Sequence, residues 1–139
     1  MLTDESKNTP VIEIRDLHKS YGDLDVLKGV SMTAHRGQVI SLIGSSGSGK
    51  STLLRCANLL EDSQNGDILF EGEPITWKGS GHARRPKDRK QVMRIRTNLS
   101  MVFQQFNLWA HMTILENVME APVTVLGRDK SEVEASARA

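Results

Sequence analysis

Two segments near the start of the chain alternate between apolar and polar residues. Val11 to Arg15 alternates in this way, and so does Val30 to His35. A period of two is typical of strands with one buried face, so both segments are predicted to be antiparallel strands. Tyr21-Gly22-Asp23 lies between them and has the composition of a turn. Residues 11–35 are therefore predicted to form an antiparallel β subdomain.

A continuous apolar run comes next, and a helical pattern follows it. Gln38 to Ile43 is predicted to be a buried strand, and Ser51 to Leu60 carries its apolar residues at helical spacing. The stretch from Gly44 to Thr52 connects them and matches the pattern G-x-x-x-x-G-K-[ST]. Residues 38–60 are thus predicted to form a strand, a phosphate-binding loop and a helix.

Each residue type in this phosphate loop can contribute to binding a polyphosphate. Glycine lacks a Cβ, so the backbone can turn its N–H groups inward at the positive end of a helix. The Lys50 ammonium is expected to reach the β- and γ-phosphates, and the Ser51 hydroxyl to bind Mg²⁺. The nucleotide-binding residues predicted in the loop are Gly44, Ser45, Ser46, Gly47, Ser48, Gly49, Lys50, Ser51 and Thr52. The alternative is a flexible Gly/Ser linker, although linkers are not flanked by such apolar runs.

A short strand and a strongly basic run occupy residues 66–98. Gly66 to Gly72 begins and ends on glycine and is predicted to be a strand. Lys78 to Lys90 contains six Lys and Arg residues against a single Asp. This run is predicted to be a solvated loop leading into a helix at about Lys87–Arg96, with phosphate or nucleic-acid binding as the alternative.

Residues 99–139 are predicted to contain one strand and two helices. Leu99 to Phe103 is the predicted strand. Thr113 to Glu120 is the first helix, with Thr113 as its N-cap and Glu116 as the capping-box partner. Gly127 ends this helix, and Ser131 begins the second one with acidic residues in its first turn.

Composition narrows the class of protein. A chain of 139 residues with 38% hydrophobic and 25% charged residues is ordinary for one soluble globular domain. Its net charge of +1 gives no overall attraction to nucleic acid or acidic membranes. The single cysteine, Cys56, is expected to be a buried thiol in a reducing, cytosolic environment. Neither a targeting segment nor a run of about 20 apolar residues is present in the sequence.

Three features in order along the chain carry a family resemblance. They are Tyr21 upstream of the loop, the phosphate loop itself, and the run from Val102 to Leu108. Together they resemble the ATP-binding subunits of ABC transporters. The resemblance is closest to importers for histidine and other basic or polar amino acids, including the octopine and nopaline permeases. The segments carrying this closer match are Leu27–Val30, Gly44–Arg55 and Met101–Leu126.

The resemblance implies a fold class and site residues. The fold is an α/β P-loop NTPase core with an N-terminal antiparallel β subdomain, truncated where residues 127–139 begin the helical subdomain. Tyr21 matches the aromatic that stacks on adenine, and Lys50 and Gln104 match catalytic positions. Gln104, in the predicted Q-loop region 99–126, also matches a residue that reaches Mg²⁺ and the attacking water. A turn tyrosine that packs locally and a glutamine that caps a strand remain the alternatives.

The resemblance also implies cofactors and partners. ATP and Mg²⁺ are the expected cofactors. Phe106–Asn117 matches the contact surface for the membrane-spanning permease subunits, with Trp109 and Met112 either as exposed anchors or as core residues. A second ATP-binding subunit and, indirectly, a periplasmic solute-binding protein are further expected partners. The expected location is the cytoplasmic face of the inner membrane, and no nucleic acid is expected.

The sequence departs from the family pattern in one respect. The Leu-Ser-Gly-Gly-Gln signature, the acidic strand with the catalytic glutamate and the switch histidine are absent from it. The chain is therefore predicted to bind nucleotide without turnover, and to be marginally stable or prone to aggregation by itself. A nucleotide kinase or GTPase is one alternative, although two strands precede the loop and no Asn-Lys-x-Asp motif is present. A basic, non-catalytic nucleic-acid binder is the other.

Overall fold

The computed structural model describes residues 9–139. The chain divides into two compact units, and the division falls after Met101. The first unit contains a four-stranded sheet, a two-stranded sheet and two α-helices, and the second unit contains only helices and connecting segments within the described residues.

An antiparallel sheet forms the first unit, as the alternation predicts. Its strands are β1 (Ile12–Tyr21), β2 (Leu24–Ala34), β3 (Asn65–Phe70) and β4 (Glu73–Pro74), in the spatial order β2-β1-β3-β4. β1 and β2 form a hairpin around the turn at Gly22 and Asp23, so both strands are longer than the alternating segments that predicted them. The predicted strand over Gly66–Gly72 corresponds to β3.

A bulge in β1 sets which of its residues face the core. Asp16 has φ of 48°, and the pairing with β2 shifts register between Ile14 and Leu17. Ile12 and Ile14 are buried before the bulge, and Leu17 and Lys19 are buried after it. The extra residue therefore keeps successive parts of a long strand facing the same core.

Two helices cover the buried face of the sheet. They are α1 (Lys50–Ala57) and α2 (Arg89–Asn98), and both were predicted within a few residues of these bounds. Their apolar residues join those of the strands in one core, whose members are Ile12, Ile14, Leu17, Leu27, Leu53, Cys56, Leu59, Ile68, Phe70, Ile75 and Ile95. The expectation of a buried Cys56 is confirmed, since its exposed fraction is 0%.

The predicted buried strand over Gln38–Ile43 is not formed. These residues have no regular secondary structure, and the side chains of Val39 and Ile43 are 93% and 94% exposed. The chain leaves β2 through a turn in which the Gln38 amide donates to the His35 carbonyl at 3.1 Å. A strand needs a neighbour for its backbone N–H and C=O groups, and no strand among residues 9–139 pairs with this segment.

The basic run is more ordered than the predicted solvated loop. It contains a two-stranded sheet of β5 (Trp77–Lys78) and β6 (Arg85–Pro86), with a 3₁₀ turn at Gly81–Ala83 between the strands. Most of its cationic side chains are exposed, as expected, but Arg84 is largely buried, with 11% of its side chain exposed. α2 then begins at Arg89, capped by the Asp88 carboxylate.

The second unit contains α3 (Ile114–Glu120), a π-helical turn (Ala121–Val125) and α4 (Lys130–Arg138). The capping box of Thr113 and Glu116 is present at the start of α3, as predicted. Asp129 caps α4, which begins one residue before the predicted start at Ser131. The predicted strand over Leu99–Phe103 is not formed, because Leu99 is the C-cap of α2 and the residues after it lack a paired strand.

Candidate functional site

The phosphate loop takes the backbone conformation that its glycines allow. Gly47 and Gly49 have φ of 79° and 91°, in the left-handed region that residues with a Cβ rarely adopt. Gly49 is the N-cap of α1, and no side chain caps the helix there. The predicted loop-to-helix transition is therefore present, and it begins one residue before the predicted start of the helix.

Backbone donors are available at this end of α1. The Gly47 and Gly49 amides donate to no other group in the described part of the chain, whereas the Ser48 amide closes a turn onto the Ser45 carbonyl at 3.3 Å. The first amides of a helix have no partner within the helix. With no acidic residue in the first turn of α1, the positive end of the helix dipole is also uncompensated. This arrangement favours an anion at the loop.

Lys50 places its ammonium across the loop. Its Nζ donates to the Gly44 carbonyl at 2.8 Å and to the Ser45 carbonyl at 2.6 Å, and it lies 3.3 Å from the Ser48 hydroxyl. These acceptors are neutral, so phosphate oxygens would form stronger, charge-assisted bonds with the same ammonium. Ser51 and Thr52 follow in the first turn of α1, and the Ser51 hydroxyl is exposed.

Strand β2 connects the loop to Tyr21. A Cβ added to Gly49 would lie 3.1 Å from both Val26 Cγ1 and Leu27 Cδ2, so the end of the loop packs directly against β2. In the β1–β2 hairpin, Leu27 pairs with Lys19, and Leu24 pairs with Tyr21. The predicted adenine-stacking residue and the phosphate loop are thus attached to the same hairpin.

Tyr21 lies at the end of β1 with 44% of its surface exposed. The Lys19 ammonium lies over its ring, 4.8 Å from the ring centroid. Both residues line a cavity of about 420 Å³ together with Gln64, His82 and Arg84. The ring is therefore neither a buried core group nor a fully free side chain.

Sequence reasoning did not single out Lys19. Its Nζ donates to the Asp62 carbonyl at 2.8 Å and lies 3.1 Å from Glu61 Oε2. The sequence signal that was available is a lysine two residues after the buried Leu17, at a strand position where the alternation favours an apolar residue.

Arg84 is a second partly buried cation that sequence reasoning did not single out. Its guanidinium stacks 4.2 Å from the Trp77 ring, donates to the Gly66 carbonyl at 2.6 Å, and donates to the Ser63 hydroxyl at 3.2 Å. Desolvation by burial lowers the pKa of Arg84, and Asp67 at 3.8 Å opposes this effect. Since these contacts hold β5 against the start of β3, this member of the basic run has a structural role.

The remaining predicted site residues lie in the second unit. Gln104 is exposed and lies in an irregular segment. Phe106 is 93% exposed and Trp109 is 61% exposed, whereas Met112 is half-buried. The Asn117 side chain holds this segment by accepting from the Trp109 amide at 2.7 Å and donating to the Thr113 carbonyl at 2.9 Å. Phe106–Asn117 is therefore an ordered segment with exposed aromatic side chains.

Residues 9–139 contain neither a further candidate metal site nor a candidate membrane span. No group of three or more His, Cys, Asp and Glu side chains in this part of the chain could hold a metal ion. No helix in it is long and apolar enough to cross a membrane. The phosphate-loop pattern predicts the Ser51 hydroxyl as a Mg²⁺ ligand, and a hydroxyl oxygen is a ligand type that Mg²⁺ prefers.

A sequence model of a protein family shows which family this chain belongs to. The family model described as ABC transporter matches residues 27–139, which include the phosphate loop and Gln104. The chain belongs to the ABC transporter family.

Curated relatives of this chain include ATP-binding proteins named for the transport of octopine and of amino acids. The octopine permease ATP-binding protein P of Rhizobium radiobacter is 53% identical over 94% of this chain and 50% of its own length. The arginine/ornithine transport ATP-binding protein of Pseudomonas aeruginosa is 58% identical over 87% of this chain and 48% of its own. The histidine/lysine/arginine/ornithine transport ATP-binding protein of Escherichia coli is 53% identical over 91% and 49%. The chain spans about half the length of these relatives.

Solved ABC transporter structures share the fold. A dimeric bacterial ABC transporter cassette matches with a TM-score of 0.74 at 30% identity, over 89% of this chain and 53% of that chain. The cbiO1 protein of Clostridium perfringens, part of an ABC transporter complex, matches with a TM-score of 0.70 at 27% identity, over 92% and 47%. The predicted fold class, an ABC ATPase core with an antiparallel β subdomain, is confirmed.

Proposed function

We propose that this chain is the nucleotide-binding part of an ATPase that energises the import of polar or basic amino acids or opines. The observation that supports this most is the phosphate loop, whose Gly49 cap, unpartnered amides and Lys50 ammonium form an anion site at the start of α1. Curated relatives named for octopine, arginine and histidine transport support the solute class.

In this proposal, ATP and Mg²⁺ are the cofactors. Lys50 would exchange its bonds to the Gly44 and Ser45 carbonyls for stronger bonds to the β- and γ-phosphates. The Ser51 hydroxyl would be a Mg²⁺ ligand, and the family position of Gln104 would make it a residue that reaches Mg²⁺ and the attacking water. Tyr21 stacks on adenine with the ring face that Lys19 leaves open.

The exposed segment of the second unit supports the first of the proposed partners. Phe106–Asn117, with its exposed Trp109, contacts the membrane-spanning permease subunits at the cytoplasmic face of the inner membrane. Aromatic residues of this kind are enriched at protein interfaces. A second ATP-binding subunit completes the nucleotide site, and a periplasmic protein delivers the solute.

Nucleotide binding by this chain is tested by titration with ATP in the presence of Mg²⁺. Lys50→Ala is expected to weaken binding at least about tenfold, because it removes the charge-assisted bonds to phosphate. Lys87→Ala, which alters an exposed lysine of the basic run, is the control and should bind normally. Equal affinities of the unaltered chain and Lys50→Ala would contradict the assignment of the loop.

Turnover and base preference are separate measurements. The chain is expected to release no phosphate above background, since the Leu-Ser-Gly-Gly-Gln signature and the acidic strand with the catalytic glutamate are absent from its sequence. Phosphate release that Lys50→Ala abolishes would contradict this expectation. Competition between ATP and GTP separates the transporter proposal from a GTPase, for which GTP should displace ATP.

A further inference from the structure

Lys19 occupies a position that strand packing alone would give to an apolar residue. It lies on the core-facing side of β1, in line with Leu17, and only 8% of its surface is exposed. Burying an ammonium is costly unless it is paired and hydrogen-bonded. A residue that breaks the local pattern at such a cost points to a role that packing does not supply.

Glu61 and Asp62, which follow α1 in the chain, offset this cost and fix the position of the Lys19 ammonium. The Asp62 carbonyl accepts from Lys19 Nζ at 2.8 Å, and Glu61 Oε2 lies 3.1 Å away. Both acceptors belong to the segment that directly follows the helix of the phosphate loop. The ammonium is therefore held by the segment that follows the helix of the phosphate site.

The held ammonium lies over one face of the Tyr21 ring, 4.8 Å from the centroid. Since Tyr21 is 44% exposed, its ring is not enclosed on all sides by protein. A cation on one face of an aromatic ring withdraws electron density towards itself, which leaves the opposite face a better partner for an electron-rich ring. It also restricts the ring to one orientation, and this lowers the entropy lost on stacking.

We infer that Lys19 is a positioning residue for nucleobase recognition: it holds and polarises the Tyr21 ring so that adenine stacks on the face opposite the ammonium. This inference rests on the proposed function, because it assumes that ATP binds with its phosphates at Lys50. It adds a residue and a physical basis for base affinity that the phosphate loop cannot provide. Lys19 itself touches neither the base nor the phosphates in this arrangement.

The test compares two ligands on the full 139-residue chain by calorimetric titration with Mg²⁺: ATP and inorganic tripolyphosphate. Lys19→Gln keeps a donor for the Asp62 carbonyl but removes the charge. It should weaken ATP binding about three- to tenfold while leaving tripolyphosphate binding unchanged. Lys19→Met, a second neutral variant, should behave in the same way, and Lys19→Arg should restore ATP affinity because a guanidinium also stacks on an aromatic ring.

A double-mutant comparison isolates the contact. In a Tyr21→Leu background, Lys19→Gln should cause no further loss of ATP affinity. Three results would each overturn the inference. The first is unchanged ATP affinity in Lys19→Gln, and the second is an equal loss of affinity for ATP and tripolyphosphate. The third is a loss of ATP affinity that is just as large when Lys19→Gln is made in the Tyr21→Leu background. Partial unfolding lowers the affinity for both ligands together, so it cannot imitate the expected difference. Failure of the unaltered chain to bind ATP at all would contradict the proposed function instead.

Discussion

At the scale of single residues, the phosphate site depends on two neighbours with different constraints. Gly49 is held by space and backbone conformation, since it has φ of 91° and packs against Val26 and Leu27. Lys50 is held by three acceptors of its own loop. The glycine therefore fixes the shape of the site, and the lysine supplies its charge.

Gly49→Ala is expected to destabilise the first unit and abolish ATP binding. The new Cβ would lie 3.1 Å from Val26 Cγ1 and 3.2 Å from the Val26 carbonyl oxygen. A left-handed conformation costs a non-glycine residue about 1–3 kcal/mol, and the contact adds to this. Urea unfolding and ATP titration measure the two effects.

Gly37→Ala is the matched control for this prediction. Gly37 has φ of 80°, but nothing lies within 4 Å of its Cβ position. It should lose stability through backbone strain alone and keep ATP binding. Similar ATP affinities for Gly49→Ala and the unaltered chain would show that the loop tolerates the added contact.

Cys56 is expected to be chemically inert in the folded chain. Burial raises the pKa of its thiol to about 11, so at pH 8 roughly one thiol in a thousand is ionised. Alkylation by iodoacetamide should be slow in the native protein and fast in urea. Because the folded pKa is raised, the thiol contributes stability below pH 9 that is lost as the pH rises towards about 11. Fast native alkylation at pH 8 would contradict the buried position.

At the scale of secondary-structure elements, the hairpin and the capped helix are present where the sequence predicts them, because both depend on interactions between nearby residues. The α3 capping box joins Thr113 and Glu116, three residues apart, and the β1–β2 hairpin closes around a two-residue turn. The strand predicted over Gln38–Ile43 needs a distant partner, and none of the described strands pairs with it. Pattern alone indicates which segments can be strands but does not supply their neighbours.

Thr113→Ala is expected to shorten α3 at its N-terminus and to cost about 1 kcal/mol of helix stability. The Thr113 hydroxyl accepts from the Glu116 amide at 3.2 Å, and Glu116 Oε2 accepts from the Thr113 amide at 2.7 Å. Amide hydrogen exchange at the start of α3 should speed up in the variant. Unchanged exchange at the start of α3 would contradict a role for the cap. Thr124→Ala, in the π-helical turn, is the control variant.

The same capping box predicts a pH dependence. Hydrogen bonds from the Thr113 amide and hydroxyl lower the pKa of Glu116 below its ordinary value of 4.5. A carboxyl group with a depressed folded pKa contributes stability above its unfolded pKa, and the contribution is lost as the pH falls through the folded value. Protection at the start of α3 should therefore persist at pH 5 and be lost only as the pH falls below the ordinary value of 4.5 and through the lowered folded pKa of Glu116. Glu116→Gln should remove this dependence.

At the scale of the whole molecule, apolar residues are divided unequally between a packed core and exposed segments. Ile14 and Ile68 are each 1% exposed in the core, whereas Val39 and Ile43, beside the phosphate loop, are more than nine-tenths exposed. Exposed apolar segments with strand-forming sequences are sites of association. These exposed segments support the prediction that the isolated chain is prone to aggregation.

Ile43→Lys is expected to reduce aggregation without lowering the thermal unfolding temperature, because the side chain is 94% exposed. Ile14→Ala, the contrasting core variant, should cost about 2–5 kcal/mol. Light scattering measures aggregation, and circular dichroism during heating measures the thermal unfolding temperature. A loss of stability in Ile43→Lys similar to that of Ile14→Ala would show that residues 38–43 are packed in solution.

The sequence by itself determined the hairpin of β1 and β2, the phosphate loop and the starts of the helices, because each depends on interactions within a few residues. It also indicated the family, since the loop and the run from Val102 carry that information locally. Only the tertiary structure decided where the charged side chains go. Lys19 meets Asp62 and Arg84 meets Gly66 through contacts between residues far apart in sequence, and no local pattern encodes those pairings.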